Sequence, residues 1–161
     1  MSVEFRNRVI AITGAAGGIG QELCRYFAEQ GGRIAALDRA ESVLQLTDDL
    51  RAAGRTIEAT IVDIVDAEAA RQAFKQLSAR LGAVDILINN AGLSRNPSLD
   101  RTSPRGFRDD VDANLNGAFN CTHAVLPEMK ARRSGSIVNI GSVNGLHSFG
   151  DAAYSAAKAG L

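Results

Sequence analysis

The chain has 161 residues, 18 basic against 18 acidic side chains and 45% hydrophobic residues, the composition of one soluble globular domain with a sizeable core. Zero net charge argues against nucleic acid or an acidic membrane surface as the main partner, and no apolar run reaches the ~18 residues of a membrane span. Two cysteines, Cys24 and Cys121, are too few for a disulfide framework or a metal site, and no His/Cys/Asp cluster has ligand spacing, so no metal is expected.

The cysteines fall in helix-like segments and read as buried free thiols, which fits a reducing cytoplasm. The stretch from Met1 to Arg8 carries no signal-peptide apolar run, which agrees with that location. Short apolar runs follow in order at Val9–Thr13, Arg33–Leu37, Ala59–Val62, Val84–Ile88 and Ser136–Ile140. They are rich in β-branched residues and do not alternate with polar ones, as expected of parallel strands buried on both faces. Between them lie helical spacings: Ile19, Leu23 and Phe27, then Ala70, Phe74, Leu77 and Leu81. A longer helix is predicted through Phe107, Val111, Leu115, Phe119, Thr122 and Leu126, with Ser103-Pro104 as its cap and first turn. Alternating strands and helices make a doubly wound α/β sheet, whose ligands bind beyond the carboxyl ends of the strands.

After the first strand comes Thr13-Gly14-Ala15-Ala16-Gly17-Gly18-Ile19-Gly20, and then a helix. Glycines permit the sharp turn and let backbone N–H groups approach a pyrophosphate at the helix N-terminus. The spacing reads equally as T-G-x-x-x-G-x-G and T-G-x-x-G-x-x-G. Asp38 ends the second strand, eighteen positions past Gly20. A carboxylate there can hydrogen-bond the adenosine ribose and repel a 2′-phosphate, which favours NAD over NADP, although Arg39 beside it works the other way. A helix cap or a solvated loop charge is the alternative for Asp38. Asp63, ending the third strand, stands equally as an adenine contact or a loop aspartate.

After the fourth strand comes Asn89-Asn90-Ala91-Gly92, after the fifth Gly141-Ser142, and twelve residues later Tyr154-Ser-Ala-Ala-Lys158. Tyr154 and Lys158 stand at i and i+4 and share one helix face. A free phenol is a poor proton carrier at neutral pH, and a neighbouring ammonium stabilises the phenolate. Ser142 can hold a carbonyl or hydroxyl oxygen beside the phenol, so the set can move a proton to or from an alcohol oxygen. Leu93, Ser94, Arg95, Asn144 and His147 follow strand ends and could line a substrate pocket. His123 reads as a packing or surface histidine.

These residues, Thr13-Gly14 through Gly20, Asn89-Asn90-Ala91-Gly92, Asn114, Ser142 and Tyr154-x-x-x-Lys158, resemble the short-chain dehydrogenase/reductase family in its oxidoreductase branch. The resemblance implies a Rossmann-type sheet that binds NAD, with NADP the less favoured, and a secondary alcohol or ketone as small-molecule substrate. It implies that Tyr154 is the general acid/base, that Lys158 assists it and bonds the nicotinamide ribose, and that Ser142 orients the substrate oxygen. Asn114 would hold a water in a proton relay through Lys158, where the residue on its own reads as a helix-surface asparagine. Gly14, Ala16, Gly18, Ile19, Gly20, Asp38, Asp63, Asn90, Ala91 and Gly92 would contact the cofactor, with Tyr154 and Lys158. A homo-oligomer is implied for the full-length form. The helical pattern carrying Tyr154 and Lys158 stops at Leu161, so residues 1–161 read as a single dinucleotide-binding domain, incomplete at its C-terminus. Two more βα units and a substrate lid would add about 80 residues and cover the open edge of the fifth strand. The competing expectation is a truncated dinucleotide-binding or oligomerising module without turnover.

Overall fold

Five parallel strands form one sheet in the order β3-β2-β1-β4-β5 in a computed structural model that describes residues 5–95, 98–147 and 150–161. The strands are β1 (Val9–Thr13), β2 (Arg33–Asp38), β3 (Ile57–Ile61), β4 (Ile86–Asn89) and β5 (Ser136–Asn139). Each neighbouring pair runs parallel, with Ala11 opposite Ala35 on one side and Leu87 on the other. The order reverses between β1 and β4, and the crevice there is where a doubly wound sheet offers its binding site. This is the expected Rossmann-type α/β architecture. The N-terminal reading that begins at Met1 lies partly outside the described residues.

The helices are α1 (Gly18–Glu29), α2 (Ser42–Ala52), α3 (Ala67–Leu81), α4 (Pro104–Val111), α5 (Gly117–Arg132) and α6 (Ala152–Gly160). The pleat of β1 divides the core. Val9 and Ala11 face a cluster closed by Phe74 and Leu77 of α3 and Val125 of α5, while Ile10 and Ile12 face Cys24 of α1 and Leu46 of α2. Every residue of β1 is buried, as a central parallel strand requires. At the sheet edge β5 does not follow that expectation: Ser136, Val138 and Asn139 are exposed.

Several boundaries differ from the sequence reading. β3 begins at Ile57 because Ile34 and Ala35 of β2 pair with Ile57 and Glu58, and β4 begins at Ile86, leaving Val84 in the preceding loop. Helix α2 is an element that the periodicity reading passed over. Its buried Val43, Leu46 and Leu50 keep helical spacing among polar neighbours. Ser103 caps α4 as predicted, its side chain accepting from the Gly106 N–H at 3.0 Å with Pro104 in the first turn.

The long helix runs unbroken from Pro104 to Arg132 but is not α-helical throughout. A π-helical turn, Asp112–Asn116, separates α4 from α5. The predicted apolar stripe also lies largely on the outside, with Phe107, Phe119 and Leu126 exposed at 36%, 63% and 39%. The buried face of α5 is the one with small residues, Gly117, Ala118 and Cys121, together with Val125 and Met129. A Cβ on Gly117 would stand 2.8 Å from the Ile64 side chain, so close approach to the core selects the small face. On α1, Ile19 is likewise 63% exposed, and the buried stripe is Gly20, Cys24 and Ala28.

Cys24 and Cys121 are both free and buried, and they lie in the two opposite core clusters. Burial pushes each thiol up to about 12. At pH 8 the thiolate fraction of the folded chain is then on the order of 10⁻⁴. Both thiols should resist a disulfide reagent such as DTNB in the native protein and react fully in denaturant. Rapid reaction of either in the native state would contradict this packing.

Candidate functional site

The loops at the carboxyl ends of β1 to β4 enclose a cavity of about 640 Å³, lined by Gly14, Ala16 to Gly20, Asp38, Asp63 and Asn90 to Leu93 among others. It is built around the turn that leaves β1. Gly14 has φ of +65°, and a Cβ there would meet the Ala91 Cα at 2.8 Å. Its carbonyl accepts from the Gly17 N–H at 3.1 Å and from Asn90 Nδ2 at 3.2 Å. Asn90 also donates to the Thr13 carbonyl at 2.9 Å, and Thr13 Oγ1 accepts from the N–H groups of Asn90 and Ala91. Asn90 thus ties the turn to the end of β4.

Helix α1 starts on this turn. A Cβ on Gly20 would lie 2.0 Å from the Gly14 carbonyl oxygen, so only glycine lets the helix sit so close. A Cβ on Gly18 would meet nothing within 4 Å. The N-cap, Gly17, has no side chain to offer the first-turn N–H groups of Gly18, Ile19 and Gly20, and all three residues line the cavity. Unsatisfied donors at the positive end of a helix dipole form an anion cradle, which fits a dinucleotide's pyrophosphate.

Asp38 fixes the next edge of the cavity. Its Oδ2 accepts from the Ala16 N–H at 2.9 Å, and its Oδ1 accepts from the Ala40 N–H at 2.9 Å. The residue capping α2 is Glu41, so Asp38 is not the cap of that helix. Arg39 lines the cavity beside it. Asp63 is exposed and accepts from the Val65 N–H at 3.0 Å, and Asn120 of α5 holds the same loop by donating to the carbonyls of Ile64 and Val65, both at 3.0 Å. Nothing in the sequence pattern had marked Asn120.

Lys158 and Asn114 meet at Gly92, which lines this cavity, and Tyr154 stands beside Lys158. Lys158 of α6 is buried, donates from Nζ to the Ile140 carbonyl at 2.7 Å, and stands 5.6 Å from the centre of the Tyr154 ring. A Cβ on Gly92 would lie 3.6 Å from Lys158 Nζ and 2.6 Å from Asn114 Oδ1, so glycine keeps these two groups close. Ser142 opens a 3₁₀ turn, Val143–Gly145, its Oγ accepting from the Asn144 N–H at 3.2 Å. That leaves the hydroxyl hydrogen free to donate. A Cβ on Gly145 would meet the Lys158 carbonyl at 2.8 Å, so this glycine, unmarked in the sequence reading, lets the Ser142 turn pack on α6.

Asn114 sits fully buried inside the π turn. Its Nδ2 donates to the Asp110 carbonyl at 2.8 Å and to the Leu93 carbonyl at 2.7 Å, and its Oδ1 accepts from the Leu93 N–H at 3.2 Å. The Asp110 carbonyl lies four residues earlier, so this side-chain bond reaches back along the helix. Of the weaker candidates, Leu93 and Arg95 line the cavity, Ser94 hydrogen-bonds Asp151, Asn144 lies in the 3₁₀ turn, and His147 is exposed. His123 is exposed on α5 with its ring 5.8 Å from that of Phe119. Among the described residues no group of three or more His, Cys, Asp or Glu could hold a metal ion, and no helix is long and apolar enough to cross a membrane.

Two stability experiments follow from this geometry. Gly20→Ala should destabilise the fold by about 3 kcal/mol, whereas Gly18→Ala should stay within about 0.5 kcal/mol of the parent in urea unfolding. Equal effects would contradict the turn. Burial holds the Lys158 ammonium below its ordinary value of 10.5. The unfolded chain therefore keeps that proton to higher pH than the folded one, and stability from this group rises as pH climbs from the depressed value toward 10.5. Relative to Lys158→Met, the parent should gain stability over that alkaline window; a constant difference would contradict it.

Comparison with known proteins agrees with these observations. A profile described as short chain dehydrogenase matches residues 8–161. The chain is 41% identical over 162 residues to an uncharacterized oxidoreductase of Schizosaccharomyces pombe, an alignment covering all of this chain and 59% of that one. It is 34% identical over 161 residues to the 3-oxoacyl-[acyl-carrier-protein] reductase FabG of Staphylococcus epidermidis, covering 96% of this chain and 65% of FabG. A crystal structure of an oxidoreductase of the short chain dehydrogenase/reductase family from Burkholderia thailandensis superposes with a TM-score of 0.87 at 42% identity, covering 95% of this chain and 59% of that one. The chain therefore spans less than two thirds of the length of these relatives. With the profile running from Arg8 onward through every strand and the α6 helix, the chain belongs to the short-chain dehydrogenase family of oxidoreductases.

Proposed function

We propose that this chain carries the cofactor-binding and proton-transfer parts of an NAD-dependent oxidoreductase that interconverts a secondary alcohol and a ketone, with Tyr154 as general acid/base. The observation that carries this reading is the buried Lys158 ammonium, 5.6 Å from the Tyr154 ring centre and held by the Ile140 carbonyl beside Gly92. In this reading the phenol, with that cation beside it, takes a proton from an alcohol or gives one to a developing alkoxide. Ser142, with a free hydroxyl hydrogen, donates to the substrate oxygen and orients it. Asn114 holds the relay water through which Lys158 exchanges its proton with solvent. The S. epidermidis relative's name, a 3-oxoacyl reductase, supports a ketone as one side of the reaction.

The family uses NAD(H) or NADP(H), and a bound nicotinamide ring supplies or accepts the hydride. Gly18, Ile19 and Gly20 would hold the pyrophosphate, with Gly14 and Ala16 completing the turn. Asp63 would reach the adenine, Asn90, Ala91 and Gly92 would line the inner end, and Tyr154 and Lys158 would bond the nicotinamide ribose. Asp38, locked by two backbone N–H groups, keeps a fixed carboxylate where the adenosine ribose would lie, and this supports NAD over NADP. Residues 1–161 act in this reading as one dinucleotide-binding domain, and a homo-oligomer of the whole protein is part of the same proposal.

The test uses NADH and NADPH with ethyl acetoacetate as the ketone probe. Tyr154→Phe should lose most turnover, about 10²-fold or more, while NADH still binds. NADH should outcompete NADPH, and Asp38→Ala should narrow that preference. Unchanged turnover in Tyr154→Phe would overturn the role of Tyr154. NADH binding without turnover in the parent, on this probe and a wider panel of ketones and alcohols, would leave a dinucleotide-binding module instead.

A further inference from the structure

Helix α6 is packed into the molecule through the buried Ala153 and Ala157, and three further contacts lie at its two ends. Two lie at Lys158: its Nζ bond to the Ile140 carbonyl and the close approach of Gly145 to its backbone. The third lies at the other end, at Asp151, the N-cap of α6, which is only 5% exposed. Asp151 Oδ1 accepts from the Tyr154 N–H at 2.9 Å, and Oδ2 accepts from the Ser94 hydroxyl. Ser94 follows Leu93, whose N–H and carbonyl are both held by Asn114. A continuous line of hydrogen bonds therefore runs from the π turn through Leu93 and Ser94 to Asp151 and the backbone of Tyr154.

We propose that Asp151, locked by Ser94, is a positioning residue for Tyr154. This inference rests on the reading of Tyr154 as the general acid/base. Without the Ser94–Asp151 bond, the Tyr154 turn would keep the packing of Ala153 but lose the polar contact that fixes its angle to the segment after Gly92. With it, the phenol is held against that segment. Displacement of about 1 Å at a reacting group can cost on the order of 10²-fold in rate. Most of the dinucleotide's contacts would lie on the β1 turn, α1 and the loops after β2 to β4, and only its nicotinamide ribose would reach Tyr154 and Lys158, so NADH binding should change far less than turnover.

The experiment measures kcat and the KM for NADH with ethyl acetoacetate, or with whichever substrate of the panel turns over, in three variants. Ser94→Ala, which leaves the cap on Tyr154 intact, should lower kcat about 10-fold with KM for NADH within about twofold. Asp151→Ala removes both bonds and should lower kcat further. Asp151→Asn keeps an acceptor for the Tyr154 N–H and can donate its amide to the Ser94 oxygen, so it should recover kcat to within about threefold of the parent. A merely structural cap would predict no loss in Ser94→Ala. A kcat for that variant within about twofold of the parent overturns the proposal. If Asp151→Ala fails to fold, the other two variants decide. If the parent turns over no substrate, the proposed activity fails on its own account. Amide hydrogen exchange across residues 152–158 then decides the clamp: faster exchange in Ser94→Ala upholds the tie, and unchanged exchange overturns it.

Discussion

The carbonyl oxygen of Gly14 is the point around which the site is assembled. It accepts from the Gly17 N–H and from Asn90, and it sits where a side chain on residue 20 would have to go. A left-handed residue at 14 and a bare Cα at 20 are what bring the first turn of α1 onto the end of β1 with its N–H groups uncapped. The anion cradle is therefore a by-product of close packing between helix and turn. The same contact sets the height of the cavity floor, because Asn90 links this turn to the end of β4.

The other half of the site obeys a different logic. Around α6 the ordering comes from polar side chains gripping backbone: Asn114 on Leu93, Asp151 on Tyr154, Lys158 on Ile140. Each of these side chains is buried, so each bond is made partly out of reach of water. Gly92 and Gly145 serve the same end by removing bulk at the contacts with Asn114 and Lys158. Packing shapes the β1 side of the site and hydrogen bonding shapes the α6 side, and the segment Asn90–Leu93 belongs to both.

This division explains how much could be read from the sequence. Strands β1 and β2 and the turn after β1 were legible because local composition determines them: a β-branched run, then glycines. The Tyr154/Lys158 pair was legible because helical spacing alone puts both on one face. The Ser94–Asp151 bond was not, since its partners stand 57 positions apart and neither sits in a periodic pattern. Asn120 escaped notice for the same reason, with its acceptors 55 and 56 positions away. The apolar stripe of the long helix misled because residues 107, 111, 115 and 119 keep a spacing of four straight across the π turn, and because the core took the small face of α5.

The π turn has a geometric consequence of its own. One residue added to a helix advances everything beyond it by about 100°. The wider turn takes up such a residue without that advance, so the core-facing positions of α5 are shifted by one along the sequence from those an unbroken α-helix would give. Removal of a single residue between Asp112 and Asn116 would close that turn into an ordinary helix. Cys121, Val125 and Met129 would still face the sheet, because the wider turn absorbs that one residue, and what would be lost is the bulge that seats Asn114 beside Gly92. The segment that holds Asn114 beside Gly92 therefore also sets which of the sixteen residues of α5 face the core.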